Sequence, residues 1–207
     1  MTRRDASYRR HRRAGQDFDQ KYGVDTNRII RRASLDFDHP LYKGYMPSRL
    51  DVFVDALASL DDLRHEEFVF VDIGAGKGRC LLLASSRPFR EIIGVEISPQ
   101  LIAITRQNLD AYADAGQRCD HFSLVCTDVL DYRFPPEPSV LYMFNPFERP
   151  IVEALLRRIE ESLLESPRKI VLIYQNPVHG EVFDQSRCFR VRLRGRGFVV
   201  YESDSKS

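Results

Sequence analysis

The chain contains no run of about 18 apolar residues, so no candidate for a membrane-spanning helix can be found in it. The opening stretch, MTRRDASYRRHRRAGQ, lacks the apolar segment of a secretory leader, and a cytoplasmic protein is expected. Cys80, Cys119, Cys126 and Cys188 form no CxxC pair and no regular spacing. That pattern indicates neither a zinc cluster nor a disulfide framework, and reduced thiols fit the same compartment. The sequence also offers no metal-ligand cluster, no nucleophilic triad and no internal repeat. Net charge is nearly absent, at +1, but it is unevenly placed. Residues 1–32 hold ten basic and four acidic side chains, a local +6, which leaves −5 for the remainder. A basic arm can grip phosphate, in RNA or elsewhere, and a solvated tail is the plainer reading. Residues 1–16 are therefore expected to be a flexible basic arm, ahead of a single domain over 17–207 with a helical N-terminal extension.

What is present is ordinary globular material, 43% apolar and 29% charged. From Phe68 onward strands and helices alternate. Short apolar runs at 68–71, 92–95, 121–126, 140–144 and 169–174 read as strands. Between them lie helical patterns at 79–86, 99–115 and 149–165. Ser98 and Pro99 supply a cap and a first-turn proline for the second of these. A further helix is expected from Ser48, as its cap, to about Leu60. The stretches 188–193 and 198–201, around Gly195-Arg196-Gly197, read as a closing hairpin. The expected fold is α/β: a doubly wound, mostly parallel sheet with helices on both faces and an antiparallel C-terminal hairpin.

Acids and glycines collect at the ends of successive strands, where open α/β sheets bind ligands. The first group is Asp72-Ile73-Gly74-Ala75-Gly76-Lys77-Gly78-Arg79. It fails the dinucleotide pattern GxGxxG, because Arg79 stands at the third glycine position. It fails the Walker pattern as well, because Gly78 follows Gly76-Lys77 and Val71 stands where the first glycine belongs. Asp72 itself argues against a pyrophosphate, since a carboxylate repels phosphates unless a cation intervenes. An amino acid joined to a nucleoside resolves the mismatch. In S-adenosylmethionine the carboxylate can lie on the glycine loop and helix N-terminus, and the ammonium on Asp72. Glu96, 24 positions further on at the end of the second strand, can accept the ribose hydroxyls. Asp128, after the third strand, can receive the adenine amino group, with Ile97 and Val129 as apolar walls. Any one of these acids could equally cap the next helix, so their joint occurrence carries the reading.

Val71 to Arg79, Gly94-Val95-Glu96, Thr127-Asp128 and Asn145-Pro146-Phe147 together resemble the class I S-adenosylmethionine-dependent methyltransferases over about residues 45–203. That resemblance implies a seven-stranded sheet and S-adenosylmethionine as cofactor. It implies cofactor contacts from Asp72, Gly74, Ala75, Gly76, Gly78, Glu96, Ile97, Asp128, Val129 and Asn145. The pattern Tyr22-Gly23-Val24-Asp25-Thr26 and a second Asn176-Pro177-Val178-His179 are similar to small bacterial methyltransferases of unassigned substrate. More distantly, a tyrosine-bearing segment, Tyr45-Met46-Pro47-Ser48, is similar to that of non-SET protein lysine methyltransferases. Amino N-methyltransferases carry Asn/Asp-Pro-Pro-Tyr/Phe after the fourth strand, and this chain lacks one of the prolines. Catalytic roles are expected for Asn145, Pro146, Phe147 and Tyr45, with His179 and Glu148 as candidate bases. The expected activity is N-methylation of a protein lysine or small amine. An RNA methyltransferase using the basic arm, and a non-catalytic cofactor-binding domain, are the alternatives.

Overall fold

The computed structural model describes residues 3–37 and 39–203, with side chains from Arg9 onward. Seven strands form one sheet: β1 (Val69–Ile73), β2 (Glu91–Glu96), β3 (Phe122–Cys126), β4 (Ser139–Phe144), β5 (Ile170–Gln175), β6 (Phe189–Gly195) and β7 (Phe198–Ser203). Their order is β3-β2-β1-β4-β5-β7-β6, parallel from β3 to β5 and antiparallel at the last two strands. The expected doubly wound sheet and closing hairpin are both there. Arg196 and Gly197 make the hairpin turn, and Gly197 supplies the positive φ that such a two-residue loop requires.

Alternation along β1 explains why the sheet is covered on both sides. Val71 and Ile73 face one core, shared with Ile151, Leu155 and Ile159 of α5 (Arg149–Glu165). Phe70 faces the other, with Phe53 of α2 (Leu50–Ala58) and Leu81 of α3 (Arg79–Ala84). The strand order reverses between β1 and β4, and both run parallel. Their carboxyl ends, and that of β2, therefore open one crevice at the switch point.

Local differences from the expected elements have physical causes. Helix α2 begins at Leu50, and its N-cap Arg49 makes no side-chain cap bond. Ser48 does not cap it, because Ser48 Oγ accepts a 2.9 Å hydrogen bond from the buried Tyr142 hydroxyl. Helix α4 (Pro99–Ala111) does start on Ser98, whose Oγ accepts from Leu101 N at 3.2 Å. It stops short of residue 115 because Tyr112 turns to an extended conformation. There its ring meets Tyr22 at 4.7 Å. A short helix, α6 (Glu181–Asp184), follows β5.

The basic N-terminal stretch, expected as a flexible arm over 1–16, is part of a helix, α1 (Arg3–Tyr22). Its first two residues lie outside the described residues. Helix α1 lies close to the domain at Gly15, where an added Cβ would fall 2.2 Å from Asn27 Oδ1. After α1 the chain folds back through Asp19, whose carboxylate accepts from Thr26 N at 2.9 Å and Asn27 N at 2.7 Å. Two buried cations of the glycine loop then grip this segment. Lys77, only 1% exposed, donates to both carboxylate oxygens of Asp25 at 2.8 Å. Arg79 donates to Thr26 Oγ1 at 2.8 Å, to Ser48 O at 3.1 Å and to Asn27 Oδ1 at 3.3 Å. The Tyr22–Thr26 pattern is thus the anchor of α1 on the loop.

Asp25→Ala removes the carboxylate from a buried ammonium. It should cost roughly 1–3 kcal/mol in urea unfolding, discounted from a fully buried pair because Asp25 is half exposed. Asp25→Asn, which keeps an acceptor oxygen, should cost less. Equal stability of Asp25→Ala and the parent chain would show that Lys77 does not depend on this contact.

Candidate functional site

The crevice is lined by the ends of β1, β2 and β4 and, on its other side, by Phe37, residues 42–46 and Ser48. Gly74, Gly76 and Gly78 all have positive φ, 77°, 59° and 80°, so the loop turns in a way that few other residues tolerate. At Gly76 the need is also steric. A Cβ there would fall 2.4 Å from the Tyr45 ring, which lies flat enough on the loop to act as its lid.

Asp72 ends β1 as a carboxyl 3% exposed, lining the crevice. Burial first, and then the neighbouring Glu96 carboxylate, push its pKa well above the usual carboxylate range. Glu96 is also raised by burial, against the hydrogen bonds that favour its charge. Its Oε2 accepts from Gly76 N at 2.9 Å and its Oε1 from Ser98 N at 3.0 Å. Glu96 therefore ties the glycine loop to the β2–α4 turn, and each oxygen keeps a lone pair for a further donor. Two raised carboxyls side by side make a site suited to a cation. Those are the acceptors an α-ammonium and a ribose diol require, and the glycine loop keeps its floor free of long side chains.

Asp72, Gly74, Ala75, Gly76, Glu96, Ile97, Val129, Asn145, Pro146, Phe147 and Tyr45 all line the crevice; Gly78 and Asp128 do not. Gly78 instead caps α3 in a left-handed conformation. Asp128 Oδ1 is occupied by the Tyr42 hydroxyl and by Leu130 N, the latter at 2.8 Å. Asn145 leaves β4 at φ 42°, and its Oδ1 accepts from the Tyr174 hydroxyl at 3.3 Å. Pro146 O accepts from Lys43 N at 2.9 Å. Phe147 is buried edge-on against Tyr42, with ring centroids 4.7 Å apart. The aromatic that faces open space beside Asn145 is Phe144, one residue earlier. Tyr45 donates its hydroxyl to Thr26 O at 2.5 Å, and burial raises its pKa. His179 and Glu148 meet at 3.8 Å, and neither lines the crevice.

Sequence reasoning missed Tyr42, Lys43 and Gly44, which with Phe37 complete the lid. Tyr42 pairs with Phe147 as an isolated bridge, and Ile30 does so with Tyr45. Local sequence in that segment says only that His39-Pro40 and Met46-Pro47 disfavour helix before each proline. Among the described residues there is no group of acids, histidines and cysteines fit for a metal, and no helix long and apolar enough to cross a membrane.

A family model for a methyltransferase domain matches residues 70–165. No curated protein matches the chain in sequence. Among solved structures, an RNA methyltransferase from Salinibacter ruber, in complex with S-adenosyl-L-homocysteine, is 21% identical at a TM-score of 0.52, over 76% of this chain and 92% of that one. A putative RNA methyltransferase from Pyrococcus horikoshii is 14% identical at 0.56, over 89% of this chain and 96% of that one. A ribosomal protein L11 methylase from Lactobacillus delbrueckii subsp. bulgaricus is 13% identical at 0.55, over 83% and 91%. At such identities these structures speak for the fold. The domain match covers β1 to α5, the stretch that carries Asp72, the glycine loop, Glu96 and Asn145. Residues 70–165 thus match a methyltransferase domain, set in a fold that these methyltransferase structures share.

Proposed function

We propose that the crevice orients S-adenosylmethionine with its ammonium on Asp72, its ribose on Glu96 and its adenine between Ile97 and Val129, and that the acceptor is a nitrogen presented at Asn145. The bound cofactor supplies an activated sulfonium methyl. The chain's own residues align and desolvate. The observation that carries the reading is the pair of buried, charge-hungry carboxyls at the head of an open glycine loop. Thr127 and the half-buried Asp128 lie nearby at the adenine end, where the engaged Asp128 Oδ1 leaves the other oxygen as the acceptor.

At the acceptor end, the Asn145 amide oxygen holds one bond from Tyr174 and has a second lone pair for an N–H. Accepting that N–H points the nitrogen's own lone pair away from Asn145. Asn145 would thus orient the acceptor nitrogen toward the methyl end of the crevice, with its released proton passing to solvent. Pro146 packs over Gly74 and fixes the loop, and Phe147 anchors the lid through Tyr42. Tyr45 closes the methionine end with its ring. A protein lysine or small amine fits this arrangement. An RNA base amino group is the second reading, favoured by the arginines of α1 and by the route into the site. Incubation with methyl-labelled cofactor and a lysate, split into protein, RNA and small-molecule fractions, separates the two. Label in none of the fractions would leave only cofactor binding.

Glu96→Ala should weaken S-adenosylhomocysteine binding by about 1–3 kcal/mol in calorimetry, the range for a hydrogen bond to a charged group. Unchanged affinity would place the ribose elsewhere. Asp72 gives a pH signature. Its folded pKa is raised, so its contribution to stability is present below the ordinary carboxylate pKa and is lost as pH rises through the raised value. A ligand ammonium offsets that loss. The rise in Tm caused by S-adenosylhomocysteine should therefore grow with pH across that window. In Asp72→Asn the rise should be small and flat with pH. A pH-flat response in the parent chain would contradict the assigned ammonium site.

A further inference from the structure

Beside the cofactor crevice lies a second cleft of about 640 Å³, between α1 and the segment that carries Met46 and Pro47. The two share Met46, Ser48, Arg79 and Phe144, so they meet at the end of β4, next to Asn145. The second cleft has a consistent electrostatic character. Arg12 of α1 and Arg28 line it, both exposed, and Arg49, already paired with Asp51 at 2.7 Å, stands at its rim. Its two acids are already engaged. Asp19 is held by Thr26 and Asn27 and lies 3.7 Å from Arg79, and Asp25 is held by Lys77. Arg9 and Arg13 extend the same basic surface along the outer side of α1, with Arg12 shared between the two faces. Between the arginines the surface is apolar: Ile29 is 49% exposed and Met46 55% exposed, and Phe144 forms the inner end.

We propose that this cleft binds a single-stranded phosphodiester chain and that one of its bases reaches the cofactor crevice past Phe144; the inference rests on the methyl-transfer reading above. The exposed Arg12 and Arg28 can pair with phosphates, and the apolar surface of Ile29 and Met46, with the partly buried Phe144 as the aromatic of the cleft, can take bases between them. A duplex does not offer its bases in this way without extrusion, whereas a single strand does. The buried cations Lys77 and Arg79 give the cleft its shape. They hold α1 and residues 25–27 against the glycine loop, which brings the arginine rim within reach of the methyl-transfer site.

The test uses the full chain and labelled 20-nucleotide RNA and DNA strands of mixed sequence, with fluorescence anisotropy at rising salt. The chain should bind at low salt, with log affinity falling linearly against log salt. The double variant Arg12→Gln with Arg28→Gln should bind more weakly, with a slope shallower by about 1.4, two phosphate contacts at roughly 0.7 each. Arg157→Gln, on the exposed side of α5 across the sheet, should change neither quantity. Stronger binding of RNA than DNA would assign the ribose hydroxyl a contact; equal binding would assign the phosphates and bases alone, and both support the cleft. No binding of either strand at low salt would overturn the proposal. So would an unchanged slope in the double variant, or equal binding of an acidic peptide of matched charge. S-adenosylhomocysteine is titrated in parallel. Strand binding without it would sink the cofactor reading and leave the cleft standing; S-adenosylhomocysteine binding without the strand would do the reverse.

Discussion

Two carboxyl groups out of water at adjacent strand ends are costly unless something answers their charge, and Asp72 and Glu96 are answered differently. Glu96 is partly satisfied by the chain itself, through Gly76 N and Ser98 N. Asp72 has burial and a like-charged neighbour against it. The fold thus holds Glu96 as a structural tie, and under the proposed reading a ligand ammonium answers Asp72. The glycine loop, the Tyr45 ring over Gly76 and the lid of Phe37 and residues 42–46 are arranged around that carboxyl.

The rest of the molecule holds this constraint in place. Parallel strands bring three carboxyl ends to one edge, and the order reversal between β1 and β4 opens the crevice there. Lys77 and Arg79 reach from the loop to Asp25, Thr26 and Asn27. One short loop therefore shapes the cofactor pocket and anchors α1. Buried cations with several oxygen partners suit that double task, because a guanidinium can bridge separate backbone segments at once.

Legibility in the sequence followed the range of the contacts. The strands of the parallel sheet were readable as continuous apolar runs, and the 149–165 helix matched to the residue, because period and burial are local signals. Asp72, Glu96 and the glycines were readable because they stand at strand ends with odd chemistry. Ser48 misled, since its hydroxyl is used by Tyr142, 94 residues away. Asp128 and Phe147 sat at the right strand ends, but Tyr42 occupies the first and packs on the second. The lid and the anchor of α1 depend on pairings across 50 or more residues, such as Arg79 with Thr26 and Lys77 with Asp25, which no local pattern encodes. The packing of α1, through Gly15 near Asn27 and Tyr22 on Tyr112, joins residues that a count of charges does not relate.

The central claim is that an incomplete buried carboxyl receives the ammonium of a nucleoside-linked amino acid. Titration calorimetry with S-adenosylhomocysteine near pH 6, repeated in two buffers of different ionisation enthalpy, measures it directly. The account predicts binding with net proton release, as Asp72 ionises against the incoming ammonium, and no release in Asp72→Asn. Binding with no buffer dependence, or no binding beside tight binding of a nicotinamide dinucleotide, would contradict it.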